Sequence, residues 1–447
     1  THTLAYDYCV TFGAIKEGLL LYPGKEMAGT VIVAPLGIDW RIALDNAPFD
    51  TQHFTLDREL VETILHDRSP LAHKGVNGST LIIGGSKHMI GAPIISAEAS
   101  VHTGAGKVSL SVPVEVQTSV QAKVIPEVMV QSHNEEINYD MYDALAIGPG
   151  LGRTEDVNRL VNHIIGERKG PIIIDADGLY ALGTIGSVSK DVDSIINYEG
   201  TRRFNHCIMT PHIGEFGRLI GKSSSFIEKH YIALASAFSK AHDVVLVLKG
   251  IPTVVALPNG QIYINTLGNA GMGTGGMGDA LTGIITAFVS QGYSLLDASL
   301  LGVYVHSRSA DILSEDKTWG YTPSDVSFPL GAVIKEIMEG SYMKRMQRLW
   351  LVLIALLIPL LVVTGCSQAD VTKAVQQAAS YSIDTKQTNA EGHADIYMLD
   401  IGQGDAILLK IGDEYSMIDT GDIEHRENIV AQLKTMGVTK LKNVIIT

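Results

Sequence analysis

Along the middle of the chain, short apolar runs recur, and each is stopped by glycine or charge. Ser79-Thr80-Leu81-Ile82-Ile83 runs into Gly84-Gly85-Ser86, and Ala144 to Ile147 into Gly148-Pro149-Gly150-Leu151-Gly152. Pro171 to Asp175 ends in Asp175-Ala176-Asp177-Gly178, Cys207 to Thr210 in Pro211-His212-Ile213-Gly214-Glu215, and Val244 to Leu248 in Lys249-Gly250-Ile251-Pro252-Thr253. Runs that are apolar throughout, with no polar alternation, predict strands covered on both faces. After the first run, Ala92 to Thr103 has helical spacing, Gly104-Ala105-Gly106 makes a turn, and a strand opens at Val108; another helix is predicted from about Glu155. This order predicts βαβ units, hence an α/β fold with a largely parallel sheet and helices on its faces.

One stretch breaks the pattern. Gly268 to Gly283 reads GNAGMGTGGMGDALTG. So many glycines oppose helix and strand alike, because each loses more backbone entropy on ordering than any other residue, so a loop is predicted. The apolar run Ala280 to Ser290 has helical spacing, which places Asp279 where a helix begins. A glycine loop feeding a helix N-terminus aims backbone N–H groups at one spot, where the helix dipole also favours negative charge. A carboxylate at such a spot can take the proton of a substrate hydroxyl while the amides hold a phosphoryl group in transfer. Aspartate is also a good helix N-cap, and the motif alone does not choose between the two roles.

The polar clusters all fall just beyond the C-terminal ends of predicted strands, where open α/β sheets bind their ligands. A formal charge of −14 gives a nucleic-acid role no electrostatic footprint. Cys9, Cys207 and Cys366 are far apart and have no metal-ligand spacing. The 45 glycines suit an α/β enzyme with many tight turns.

The motifs HKGxxG, IGGS, GAP, GAG, GPGLG, DADGL, PHxGE, KGxxT and GTGGMGDAL, in that order over about residues 45–338, resemble the ADP- or ATP-dependent NAD(P)H-hydrate dehydratases. These are a branch of the ribokinase-like fold, a three-layer sandwich with a largely parallel central sheet. The resemblance implies repair of the S epimer of hydrated NADH or NADPH, in which a nucleotide phosphorylates the ring hydroxyl and phosphate then leaves. It implies Asp279 as the base, with Gly275, Gly276 and Gly278 as the anion hole. Ala92, Gly150 and His212 match positions that contact the hydrated cofactor. Lys249, Gly250, Ile251, Pro252 and Thr253, with Asn269 and Gly278, match the nucleotide site. Glu215 would help place Mg²⁺ on the phosphates, and K⁺ is a further cation known in parts of the group. Bland alternatives stay open: a solvated Lys249 at a strand exit, a turn at Asn269, a loop-bound His212, a helix cap at Glu215. Asp175 and Asp177 fit either a ligand contact or a cap. A kinase of a small alcohol or vitamin precursor shares the glycine–aspartate site and is the alternative activity; a non-catalytic nucleotide binder is a third. Family members are often tetrameric or larger, and they act beside an epimerase.

The flanks differ in character. Residues 1–44, with predicted strands at Val10–Phe12 and Thr30–Ala34, are similar to the C-terminal end of an NAD(P)HX epimerase domain. Both chain ends read as cut. Residues 41–70 are expected to link this piece to the main domain, 45–340, with a short helix over Asp57–His66. Beyond Tyr342 a basic stretch, Met343 to Arg348, precedes fifteen apolar residues, Leu349 to Val363. A helix of that length spans about 22 Å, short of the roughly 30 Å of a bilayer core, so 343–366, ending at Cys366, resembles a lipoprotein signal. Residues 367–393 are linker-like. Residues 394–447 resemble the opening strands of a metallo-β-lactamase-like hydrolase without its metal ligands, as if two reading frames had been joined. The expected location of the main domain is cytoplasmic, with membrane association only through 343–366.

Overall fold

The continuous apolar runs become the interior of one sheet. The computed structural model describes residues 5–34, 52–133, 136–188, 198–340, 394–398, 407–411, 414–418, 426–438, 440 and 443–445. The chain divides into two compact units, Phe49–Met346 and a second made of Thr1–Pro48 with Gln347–Thr447.

In the larger unit ten strands lie in the order His53–Leu56, Ile262–Asn265, Val254–Ala256, Val245–Leu248, Cys207–Met209, Ile172–Ile174, Ala144–Ile147, Ser79–Ile83, Lys107–Val112 and Val128–Ser132. Every pairing is parallel except the two made by Val254–Ala256, which runs against both neighbours. Along the central strands Ile82, Ala144, Ala146, Ile173 and Ile208 join the core formed with Ile284, Ile285, Leu301 and Val305. The intervening Leu81, Ile83, Leu145, Ile147, Ile172 and Ile174 are buried as well, so both faces are covered, as a run without polar alternation requires. From Ser79–Ile83 the chain builds outward to Lys107–Val112 and Val128–Ser132, then returns to the other side at Ala144–Ile147. The strand order therefore reverses between Ser79–Ile83 and Ala144–Ile147, the place where such sheets open a crevice at their carboxyl ends.

Beside that crevice, the helix Met277–Ser290 is buried at every residue from Ala280 to Ser290. It lies against Gly91–His102 with backbone nearly touching backbone: a Cβ on Gly283 would sit 2.0 Å from the Ser96 carbonyl oxygen. Ser96 Oγ donates to the Asp279 carbonyl at 2.8 Å, and Ser100 Oγ to the Gly283 carbonyl at 2.8 Å.

Two expectations need correction. The helix starts at Met277 and not near Ala280, so Gly278 belongs to its first turn and Asp279 is its third residue; Gly276, at φ +97°, is the N-cap. Burial of the apolar face that follows extends the helix back through a residue of poor propensity. Residues 41–70 are more than a linker, because His53–Leu56 forms the sheet's edge strand, in parallel register with Ile262–Asn265, with Leu56 fully buried. The helix expected over Asp57–His66 spans Arg58–Ile64, capped by Asp57, which accepts from Leu60 N.

In the second unit, Tyr8–Phe12 pairs in parallel with Thr30–Ala34. Ala394–Met398, Ile407–Ile411, Glu414–Ile418 and Asn443–Ile445 make a four-stranded sheet, and Arg426–Thr435 is helical. The signal-like segment 343–366 and the linker 367–393 lie outside the described residues. Among the described residues no helix is long and apolar enough to cross a membrane.

Candidate active site

Each strand exit places one side chain or one gap on the same rim. At the strand-order reversal, Ala92 opens the helix after Ser79–Ile83, and Gly150 follows Ala144–Ile147. A Cβ on Gly150 would meet the Met89 carbonyl oxygen at 2.5 Å and Ala92 Cβ at 3.2 Å, so the two positions expected to face the cofactor are adjacent, and both are small. Two strands along, Asp175 ends Ile172–Ile174, only 1% exposed. Its Oδ1 accepts from Lys249 Nζ at 2.8 Å, and its Oδ2 from Thr282 Oγ1 at 2.7 Å. Asp175 is thus bound to the helix that carries Asp279 and does not cap the helix that follows it, Ala176–Leu182.

Lys249 is the centre of this arrangement. A Cβ on Gly278 would lie 2.9 Å from its Nζ, which puts the ammonium directly under the first turn of Met277–Ser290. Burial pulls the lysine toward neutrality, but Asp175, Glu215 and Asp279 outweigh it and hold Lys249 above its ordinary range, hence charged. The reading of a solvated lysine is set aside by this pairing. Asp279 answers to the same field: burial lifts its carboxyl, Asp175 adds, Lys249 opposes, and Glu215 and Asp177 add again, to about 7. A carboxylate whose affinity for a proton is matched to neutral pH is suited to general-base work.

His212 and Glu215 both cap the helix Ile213–Ile220. His212 Nδ1 accepts from Gly214 N at 3.0 Å and Glu215 N at 3.4 Å, while Glu215 Oε2 accepts from His212 N at 2.8 Å. The cap does not exhaust either group. With Nδ1 accepting, the neutral imidazole carries its proton on Nε2, on a side chain 60% exposed, with Glu215 Oε1 at 3.5 Å. Burial raises the Glu215 carboxyl, Lys249 opposing and Asp175 adding. Among the described residues no three His, Cys, Asp or Glu side chains converge to hold a metal ion. A single carboxylate of this kind suits Mg²⁺ whose other ligands are phosphate and water.

On the far side of the rim the groups are mostly backbone. Gly250 to Thr253 form a tight exit over Tyr231, whose hydroxyl donates to the carbonyls of Leu248 at 2.9 Å and Pro252 at 3.1 Å. Ile251 is exposed and Pro252 buried. Thr253 Oγ1 donates to the Gly250 carbonyl at 3.4 Å. Asn269 is tied inward: Oδ1 accepts from Gly271 N at 3.0 Å and from Tyr321 Oη at 2.5 Å, and Nδ2 donates to Asp311 Oδ1 at 2.9 Å. Asp311 Oδ2 accepts from Gly268 N at 3.0 Å, so one carboxylate holds the entry of the glycine loop. A Cβ on Gly276 would meet Pro323 Cγ at 2.9 Å, and one on Gly275 would meet nothing within 4 Å, which leaves the loop open on its outer side.

The motifs did not point to Thr282, Tyr231, Asp311, Tyr321 or His306. His306 is buried with Nε2 unpartnered among the described residues; burial, then Lys249, holds it down to about 4, and it bonds to the Met277 backbone. All five lie on helices or loops outside the motifs. Thr282 and His306 show as polar residues in otherwise buried helices, whereas Asp311 and Tyr321 lie in half-buried or exposed stretches and carry no such signal.

The pattern of family sequences described as NAD(P)H-hydrate dehydratase matches residues 80–330. The bifunctional NAD(P)H-hydrate repair enzyme Nnr of Dictyoglomus turgidum is 33% identical over 354 residues, covering 75% of this chain and 65% of that enzyme. The chain thus spans less than two thirds of the length of that relative. The ADP-dependent (S)-NAD(P)H-hydrate dehydratase of Neisseria meningitidis is 30% identical, covering 58% of this chain and 86% of its own. Among solved structures, the ADP/ATP-dependent NAD(P)H-hydrate dehydratase of Bacillus subtilis, co-crystallised with ATP and Mg²⁺, superposes with a TM-score of 0.54 at 29% identity, covering 64% of this chain and 98% of that one. Sequence, ribokinase-like fold and the layout of the rim agree, and the chain belongs to the NAD(P)H-hydrate dehydratase family.

Proposed function

We propose that residues 45–340 dehydrate the S epimer of hydrated NADH and NADPH, using ADP or ATP and restoring the reduced nicotinamide. The observation that carries this is the half-buried Asp279 at the head of a glycine-led helix, its carboxyl at about 7 above a charged Lys249. Asp279 takes the proton of the ring hydroxyl as that oxygen attacks the terminal phosphoryl group. The amides at Gly275, Gly276 and Gly278 and the Lys249 ammonium stabilise the charge on the moving phosphoryl oxygens. Hydroxide is a poor leaving group and phosphate a better one, so the phosphorylated ring loses phosphate and regains its double bond. Ala92 and Gly150 let the flat ring approach the backbone, and His212 Nε2–H is a donor to the cofactor. Gly250 to Thr253, with the loop at Asn269, hold the AMP part of the nucleotide. Glu215 would position Mg²⁺ through water, and the ion would neutralise phosphate charge when bound.

The reading extends to the surroundings. The enzyme works beside an epimerase, of which residues 1–44 are the end, as a cytoplasmic homo-oligomer of four or more copies without nucleic-acid partners. K⁺ belongs to the same reading and is tested by exchanging it for Na⁺. The 343–366 segment is read as a lipoprotein signal, and 394–447 as the start of a metallo-β-lactamase-like domain. Hydrated NADH is added to the full chain with Mg²⁺ and ADP or ATP, and absorbance of reduced nicotinamide is followed. Return of the signal identifies the donor. No return of the signal with either nucleotide from the folded protein would sink the dehydratase and leave the small-alcohol kinase or the non-catalytic binder.

A further inference from the structure

Beside the proposed reaction centre lies a cavity of about 160 Å³ lined by Arg153, Tyr180, His212, Glu215 and Arg218 among others, whose two arginines have been given no role. It joins the centre through shared residues. Glu215 belongs to the carboxylates around Lys249, and Asp177, one of the charges acting on Asp279, holds Arg153. The hold is specific: Arg153 Nε donates to Asp177 Oδ1 at 2.9 Å, while Asp177 Oδ2 accepts from Gly152 N at 2.9 Å. The Arg153 guanidinium also lies 4.5 Å from the centre of the Tyr180 ring, and that of Arg218 lies 3.3 Å from the same ring. Arg218 further donates to the Tyr180 carbonyl.

Two guanidinium groups are thus fixed on one aromatic ring beside an imidazole N–H. Arg153 remains 61% exposed, and its two terminal nitrogens have no hydrogen-bond partner among the described residues. Held in place by Asp177 and Tyr180, the guanidinium keeps its two terminal nitrogens pre-ordered for an anion, and guanidinium forks match phosphate oxygens in pairs. The ring of Tyr180 is already occupied by the guanidinium groups, so recognition here is by charge and not by base stacking.

We propose that Arg153 and Arg218 bind the diphosphate bridge of the dinucleotide substrate, so that this cavity selects hydrated dinucleotides over small hydroxylated rings. The proposal rests on the dehydratase reading for the identity of the ligand and extends it to the half of the substrate that does not react.

The test measures binding of hydrated NADH and of hydrated reduced nicotinamide riboside, which carries no phosphate, to the full chain without donor. Arg153→Gln should weaken the dinucleotide by about 10- to 100-fold, the range for loss of a charged hydrogen bond, and leave the riboside and the KM for ADP unchanged. Because that change strands Asp177, the double variant Arg153→Gln, Asp177→Asn is measured alongside, with thermal unfolding as the check on folding; it should show the same selective loss. Arg218→Gln should act in the same direction. Equal loss for both ligands, no loss for the dinucleotide, or a loss confined to ADP would each overturn the proposal. Turnover by the unaltered chain reports separately on the dehydratase reading: selective dinucleotide binding without return of absorbance would remove the reaction and keep the cavity's role.

Discussion

Under the proposed function the two sides of the rim solve different problems with different materials. On the proposed reaction side, Asp175 accepts from Lys249 and Thr282, and the Asp279 carboxyl lies in the field of that group. On the nucleotide side, Gly250 to Thr253 and Gly268 to Gly276 offer mainly backbone, and the side chains that matter, Tyr231, Asp311 and Tyr321, bond to that backbone or to Asn269 from behind. The difference teaches that proton transfer needs charges whose mutual field is fixed, whereas holding a nucleotide needs a shape that is fixed. Damage to the first side should appear in kcat, and damage to the second in KM for the nucleotide.

The largest effect expected is from Asp279→Asn, which removes the proposed base: kcat should fall by about 10²- to 10⁴-fold with nucleotide KM little changed. In the unaltered protein the carboxyl at about 7 must be deprotonated to accept the hydroxyl proton, so the rate should climb with pH and level off above that midpoint. A pH profile flat from 5 to 9 under conditions where chemistry limits the rate would falsify the assignment.

Gly278→Ala comes next. The new Cβ would stand 2.9 Å from the Lys249 ammonium and push it aside, and a misplacement of about 1 Å costs up to about 10²-fold in kcat. If KM for the nucleotide moved while kcat stayed, Lys249 would belong to the nucleotide side and the comparison would break.

Asp311→Ala frees Gly268 and Asn269 together. Losing a charge-assisted hold of about 1.5 to 3 kcal/mol should raise nucleotide KM by about 10-fold or more, read by steady-state kinetics at saturating hydrate. A matching fall in kcat would show that the loop entry sets the anion hole as well. Smallest is Tyr231→Phe, which releases the Leu248 and Pro252 carbonyls and should raise the same KM by about 2- to 10-fold, for about 0.5 to 1.5 kcal/mol.

The layout of the rim was legible because its parts sit at strand ends, and continuous apolar runs such as Ala144–Ile147 mark those ends sharply. Gly278 and Asp279 stood out for a similar reason, since the glycine run ends sharply against the apolar run Ala280 to Ser290. Short pieces were not legible. His53–Leu56 and Val254–Ala256 are too brief for a period to register, and their pairing with Ile262–Asn265 is decided by long-range register. The supports were hidden for another reason: Thr282 and Asp311 act on residues 107 and about 40 positions away, and nothing local in a helix reveals which distant atom its polar residue will meet. Lys249 was legible as a motif member, but its direction was not, because that depends on Asp175 at the end of a neighbouring strand.

The contact between Gly91–His102 and Met277–Ser290 bears on heat. Ala92 and Asp279 ride on two helices that meet without side chains between them at Gly283 and share hydroxyl bonds from Ser96 and Ser100. The spacing of the proposed ring site and the proposed base is therefore as durable as the core itself and has no softer joint to yield first. Warming should leave the rate rising smoothly until the domain melts, so that inactivation and unfolding trace a single curve.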